Sequence, residues 1–193
     1  MEKGPLLPIT PGDVAREQVQ RAHILGLIRG FAKKDVSEEV LKKYSIEARA
    51  GKKGFDKEGR SSIYRDTSLG LELTYESKPI ALVSYEPVES GILIRQLQAA
   101  RKVKEELGAL RWEHLLVTAV KRLAQEMPDC KQVQMLKAED VPWYGEPAFV
   151  GQRTEEEYRQ AMRMRYDTTA KRTGFKWNEG LRRWVYILPR VNG

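Results

Sequence analysis

The order of apolar and polar positions divides the chain into regular elements. From about Asp13 to Lys34, Ile24, Leu27, Ile28 and Phe31 recur at i, i+3, i+4 and i+7, which places them on one face of a helix. Thr10 or Asp13 can cap its start, and Pro11 suits the first turn. His23 lies beside that stripe and reads as a histidine at the edge of the core. Ser37 opens a shorter helix, with Val36 and Leu41 spaced as a hydrophobic staple and an end expected near Tyr44. Residues 49–60 carry three glycines and five basic residues without a period, so a mobile surface loop is expected there. That segment lacks the Gly-x-x-x-x-Gly-Lys-Ser/Thr spacing of a phosphate loop. Leu69, Leu71, Leu73 and Tyr75 then alternate with Gly70, Glu72 and Thr74, the period of a half-buried strand. Two further strands follow, Ile80–Tyr85 after a turn at Lys78-Pro79 and Ile92–Gln98 after a turn over Pro87–Gly91. Such short connections favour an antiparallel meander.

After Gln98 the period changes. Trp112, Leu115, Leu116, Ala119, Val120, Leu123, Ala124 and Met127 hold a helical stripe that Pro128-Asp129 stops. Val133 and Met135 alternate with Gln132 and Gln134 as a strand, and a helix between two strands makes this one parallel to the strand ending at Gln98. Residues 139–152 form an aromatic loop with Trp143, Tyr144 and Phe149 among prolines and glycines, a functional lid or a cover for the core edge. Thr154 and Glu157 fit a capping box, and Tyr158, Ala161, Met162, Tyr166, Thr169 and Ala170 continue at helical spacing to a left-handed stop at Gly174. Phe175–Trp177 and Trp184–Leu188 close the chain as a hairpin.

Composition narrows the chemistry. The chain has 193 residues, a net charge of +7, 41% hydrophobic and 32% charged residues, which fits a single domain with a real core. The two histidines are far apart in sequence and there is one cysteine, Cys130, so neither zinc nor an internal disulfide is expected. No apolar run approaches the ~18–20 residues of a membrane span, and the N-terminus lacks a signal-peptide pattern. A cytoplasmic protein without a membrane is therefore expected. The positive charge admits nucleic acid, an anionic cofactor or simple solubility.

The element order resembles the GNAT superfamily of acetyl-CoA-dependent N-acyltransferases. Ala170-Lys-Arg-Thr-Gly-Phe-Lys176 with Trp184-Val-Tyr186 is similar to that family's closing Tyr-Glu-Lys-x-Gly-Phe and last strand. The strand Ile92–Gln98 feeding the helix with Trp112–Leu123 is a second point of likeness. The likeness covers about Leu69 to Leu188 and is one of fold. It implies an α/β (α+β) domain over 1–193, with a mixed, largely antiparallel central sheet flanked by helices. Residues 1–68 would supply N-terminal helices and a basic loop, and residues 69–188 the meander, a cofactor-type helix, the C-terminal helix and the hairpin.

The resemblance also implies a site. In that family a strand leaves its parallel neighbour at a bulge, and the pantetheine arm of acetyl-CoA or another acyl-CoA lies in the opening. The pyrophosphate sits on free N–H groups at the next helix start. Carried onto this chain, the cofactor would meet Leu97, Gln98, Arg101, Lys102 and Lys104, with Gly108-Ala109 at the helix start. The family's Arg/Gln-x-x-Gly-x-Gly/Ala signature is reduced here to that one Gly-Ala pair, in a longer segment that also carries Glu105 and Glu106. The family's tyrosine acid maps onto Ala170, and Tyr166, one helical turn earlier, is the displaced donor. Glu72 and Glu86 are the carboxylates placed to act as base. The expected function is transfer of an acyl group from acyl-CoA to a small-molecule or protein amine. The alternative is a GNAT-like binding module that has lost transfer. A third reading is nucleic-acid binding through Arg159, Arg163, Lys171, Arg172, Arg182 and Arg183 beside Trp177 and Trp184.

Overall fold

The computed structural model describes residues 22–51, 54–55, 63–144 and 154–189. The first described element, α1 (residues 22–31), ends at Phe31 rather than Lys34, and the expected caps Thr10 and Asp13 lie outside the described residues. Leu27 and Ile28 of its stripe are buried, and His23 approaches Arg122 at 3.1 Å. Helix α2 (Glu38–Leu41) starts on Ser37, whose hydroxyl accepts from Val40 N.

Strand β1 (Tyr44–Ala50) follows where no strand is expected from the sequence. Only Tyr44 and Ile46 are buried in it, so its alternation is too short to be seen against the charged residues that follow. It takes Arg49 and Ala50 out of the expected loop. A two-residue hairpin arm, β2 (Gly54–Phe55) with β3 (Tyr64–Arg65), comes from the remainder, and 56–62 lie outside the described residues. The three strands of the meander follow in the expected order, β4 (Leu69–Tyr75), β5 (Lys78–Val88) and β6 (Gly91–Ala99), but β5 takes in Lys78-Pro79 and Pro87, expected in turns, and the turns fall at Glu76-Ser77 and Glu89-Ser90, where Glu76, Ser77 and Ser90 adopt positive φ. Between β6 and the long helix lies an unexpected short helix, α3 (Lys104–Gly108). Gly108 therefore ends one helix instead of opening the next, and Ala109 is its C-cap. Helix α4 (Trp112–Glu126) starts at Trp112. Then come β7 (Gln132–Met135), a 3₁₀ turn at Ala138–Asp140, and α5 (Glu155–Arg163) with its capping box formed. Of the aromatic loop, 145–152 fall outside the described residues. A π-helical turn (Met164–Thr168) joins α5 to α6 (Thr169–Arg172), and β8 (Lys176–Asn178) and β9 (Arg183–Ile187) close the chain.

Seven strands form one sheet in the order β1-β4-β5-β6-β7-β9-β8, antiparallel throughout except for the parallel β6–β7 pair. The molecule is thus a mixed α/β domain with a mostly antiparallel sheet flanked by helices. Alternate residues such as Leu71, Leu73, Val83 and Leu97 join Leu115, Leu116 and Val120 of α4 in the main core. Residues of the other register, Glu72, Ser84 and Gln96, are also buried, but they are polar.

The sheet is irregular at two places, between β4 and β5, where Leu73 pairs with Ala81 but Thr74 with Pro79, and between β5 and β6. Ser84 pairs with Gln96 and Tyr85 with Ile94, so Arg95 has no partner and forms a β-bulge. The β6–β7 pairing stops at Ile94 and Met135, while β6 runs on to Ala99. Beyond the bulge the two parallel strands therefore separate. At the other end of the pair a Cβ on Gly91 would collide with the Gln132 carbonyl oxygen, so only glycine allows this close approach.

Candidate functional site

The edge of β6 beyond the bulge presents the Leu97 N–H to the gap left by β7. A backbone donor inside a protein must find an acceptor, and here it donates to the Tyr166 hydroxyl at 2.9 Å. Tyr166 is fully buried, and burial pushes its hydroxyl far above the usual tyrosine range, with the charge of Asp66 adding to the shift. The π turn that carries Tyr166 is anchored by the next residue. Asp167 Oδ1 accepts from Ala138 N at 3.1 Å and from Trp184 Nε1 at 2.9 Å, tying the turn to the end of β7 and to β9. Single π turns interrupt α-helices where a side chain must be re-aimed, and this one brings Tyr166 to the gap.

Several backbone donors of the segment between β6 and α4 are engaged within the chain. Leu107 N donates to Val103 O, Ala109 N to Glu106 O and Leu110 N to Leu107 O. Arg111 N donates to Phe31 O at the end of α1, and Lys33 N returns a bond to Ala109 O. At the first turn of α4 the anion present is the chain's own Glu113. Burial raises its carboxyl above the usual range, while its own backbone N–H and nearby Arg165 act the other way. The Arg165 guanidinium lies 5.7 Å from the Trp112 ring centroid, and Trp112 is itself buried. His114 stands below its ordinary value through burial first, then through Arg172 and Arg111.

Arg101, Lys102 and Lys104 are exposed, with Lys102 in a left-handed turn at φ 60°, and Lys104 opens α3 together with Glu105 and Glu106. Gln98 faces the polar register, where its Oε1 accepts from Gln96 Nε2 at 2.6 Å.

Both carboxylates singled out in the sequence are paired with guanidiniums. Glu72 is fully buried between two guanidiniums: Arg65 Nε donates to Oε1 at 3.0 Å and Arg49 Nε to Oε2 at 2.8 Å. Glu86, half-buried, takes a bond from Arg95 of the bulge at 3.2 Å.

Sequence reasoning missed Asp66. It stands just after β3, in a segment without period, and crosses the polar face of the sheet. Its Oδ1 accepts from the Ser84 hydroxyl at 2.5 Å, and its N–H donates to Gln96 Oε1 at 3.3 Å. Gln96 in turn donates to Tyr64 O at 2.7 Å, which ties the arm to β6. The second carboxylate oxygen, Oδ2, is buried and has no hydrogen-bond partner among the described residues. Ser84 and Gln96 are each 1% exposed, so this oxygen sits in a built polar cradle beside the gap. No family model, no curated protein and no solved structure matches the chain. The local geometry therefore carries the functional argument.

The other expected features are simply placed. Arg159 pairs with Glu155, Arg163 with Glu156, and Arg183 with Gln134. Lys137 lies over Trp177 and Lys171 over Trp184, so each ring already faces a cation from the chain itself. Among the described residues no group of His, Cys, Asp and Glu is placed to hold a metal ion, and no helix is long and apolar enough to cross a membrane.

Proposed function

We propose that this chain is a GNAT-like protein whose acyl-CoA opening is closed by its own side chains and that it serves as a binding module. The strand order, the single parallel pair and the bulge where that pair separates support the kinship. The observation that carries the functional reading is the 2.9 Å bond from Leu97 N to the hydroxyl of the fully buried Tyr166. That N–H is the donor an acyl carbonyl would need, and a buried phenol now occupies the place of the carbonyl. The Glu113 carboxyl at the first turn of α4 puts an acidic group of the chain itself where a pyrophosphate would sit. The group that would meet a ligand is Asp66 Oδ2 on the polar face under the arm, a buried acceptor without a partner among the described residues.

The unpartnered Asp66 oxygen also favours a second reading, an acyltransferase in which Asp66 takes the amine's proton once Tyr166 leaves the gap. There the amine nitrogen would bond to the acyl carbon, the thiolate would depart, and the Tyr166 hydroxyl would be the proton source for it. Calorimetric titration with acetyl-CoA, followed by product assay over a panel of amines, separates the two. The module reading expects no saturable heat at millimolar acetyl-CoA and no acylated product. Saturable binding with turnover would replace it by the enzyme reading.

A further inference from the structure

The free edge of the sheet carries a two-fold pattern. Strand β1 is paired on one side only, with β4, and no described residue pairs with its other side. Two flanking bonds reveal which backbone groups face that side. Glu76 N donates to Lys43 O, and Gly51 N donates to Ser68 O. With Lys43 and Gly51 both bonded towards β4, the antiparallel alternation sends the odd-numbered residues inward. The N–H and C=O groups of Tyr44, Ile46, Ala48 and Ala50 therefore point to the open edge.

The side chains along that edge are exposed from Glu47 to Ala50. Sheet edges are usually blunted by charges of one sign, proline or a bulge, because a bare row of donors and acceptors recruits another strand. β1 contains neither proline nor a bulge, and the two charges it carries are opposite, so they complement rather than repel a second copy of the same strand. Glu47 and Arg49 are two residues apart, hence on one face. Glu47 makes no ion pair among the described residues, and Arg49 uses its Nε for Glu72.

We propose that β1 pairs antiparallel with β1 of a second copy of this chain, about a two-fold axis at Ala48. In that register Ala48 exchanges both backbone bonds with the partner's Ala48, and Ile46 pairs with the partner's Ala50. Glu47 then stands directly opposite the partner's Arg49, and Arg49 opposite the partner's Glu47. A register centred one residue earlier would set Glu47 against the partner's Glu47, which is unfavourable. The outward residue at the axis is alanine, small enough for two copies to meet. The product is one continuous sheet through both chains, an isologous contact of the kind closed dimers use. It is independent of what the polar face or the gap binds.

The test is sedimentation velocity of the full chain over a hundredfold range of concentration, with two variants. Ala48→Pro removes the central N–H, and Glu47→Arg sets like charges across the axis; both sites are exposed, and far-UV circular dichroism confirms that each variant is folded. The proposal expects a concentration-dependent dimer of the wild type and a tenfold or greater weakening in each variant. Amide exchange at Ala48 should also slow with rising concentration in the wild type alone. A wild type that stays monomeric throughout, or a dimer that survives both substitutions, would overturn it.

Discussion

Leu97 and Tyr166 lie 69 residues apart, and their hydrogen bond decides what the gap beyond the bulge contains. Tyr166→Phe keeps the ring and removes the acceptor, leaving a buried N–H unsatisfied, which costs about 1–3 kcal/mol. Urea denaturation should show that loss with an unchanged m-value. The Glu72 clamp makes a second residue-scale prediction. Arg65 is 18% exposed at its side chain and Arg49 44%, around a carboxylate that is fully buried. Arg65→Gln strips a buried charge of its better-shielded partner and should cost roughly 3–5 kcal/mol, as for other broken buried pairs. Arg49→Gln should cost clearly less in the same denaturation series, because water already shares that guanidinium. Equal losses would mean that burial does not govern this clamp. At this scale the sequence was least informative. Tyr166 could be named because it recurs at helical spacing, but Asp66 could not. Its partners Ser84 and Gln96 are 18 and 30 residues away, and only the fold brings an aperiodic segment onto them.

The elements were legible wherever one face is apolar for long enough. β4, β5, β6, α4 and the capped start of α5 follow directly from period and cap chemistry. β1, α3 and the π turn did not, because their stability comes from tertiary partners. β1 is held by its pairing with β4, and the π turn by the bonds of Asp167 to Ala138 and Trp184. Glycine substitutions test this packing. Gly91→Ala drives a methyl into the Gln132 carbonyl and should destabilise the parallel junction, lowering Tm by several degrees. Gly26→Ala, in α1 with open space around its Cβ position, should leave Tm equal or raise it, since alanine favours a helix by roughly 0.5–1 kcal/mol. The first turn of α4 predicts a pH effect. The His114 imidazole is depressed in the folded chain by burial and then by Arg172 and Arg111, so the unfolded chain binds the proton more readily. Stability is therefore lost as pH falls through the ordinary histidine value of ~6.5 towards the folded one. Thermal melts between pH 7.5 and 5 should show a smaller Tm decline in His114→Gln than in the wild type.

Across the whole molecule, many of the basic residues are paired within the chain. Arg29 pairs with Glu38, Lys43 with Glu76, Arg49 and Arg65 with Glu72, and Arg159 and Arg163 with glutamates of their own helix. The lysines over Trp177 and Trp184 are likewise engaged. The architecture keeps the opening between parallel strands and fills it with tyrosine. The Leu97 amide reports on that filling directly. In ¹⁵N-labelled protein its exchange with solvent should be strongly protected, and its resonance should stay in place on addition of millimolar acetyl-CoA. In Tyr166→Phe the same amide should shift and lose protection. A Leu97 resonance that moves and saturates with acetyl-CoA in the wild type would show that the gap opens to cofactor, contradicting the closed-slot account.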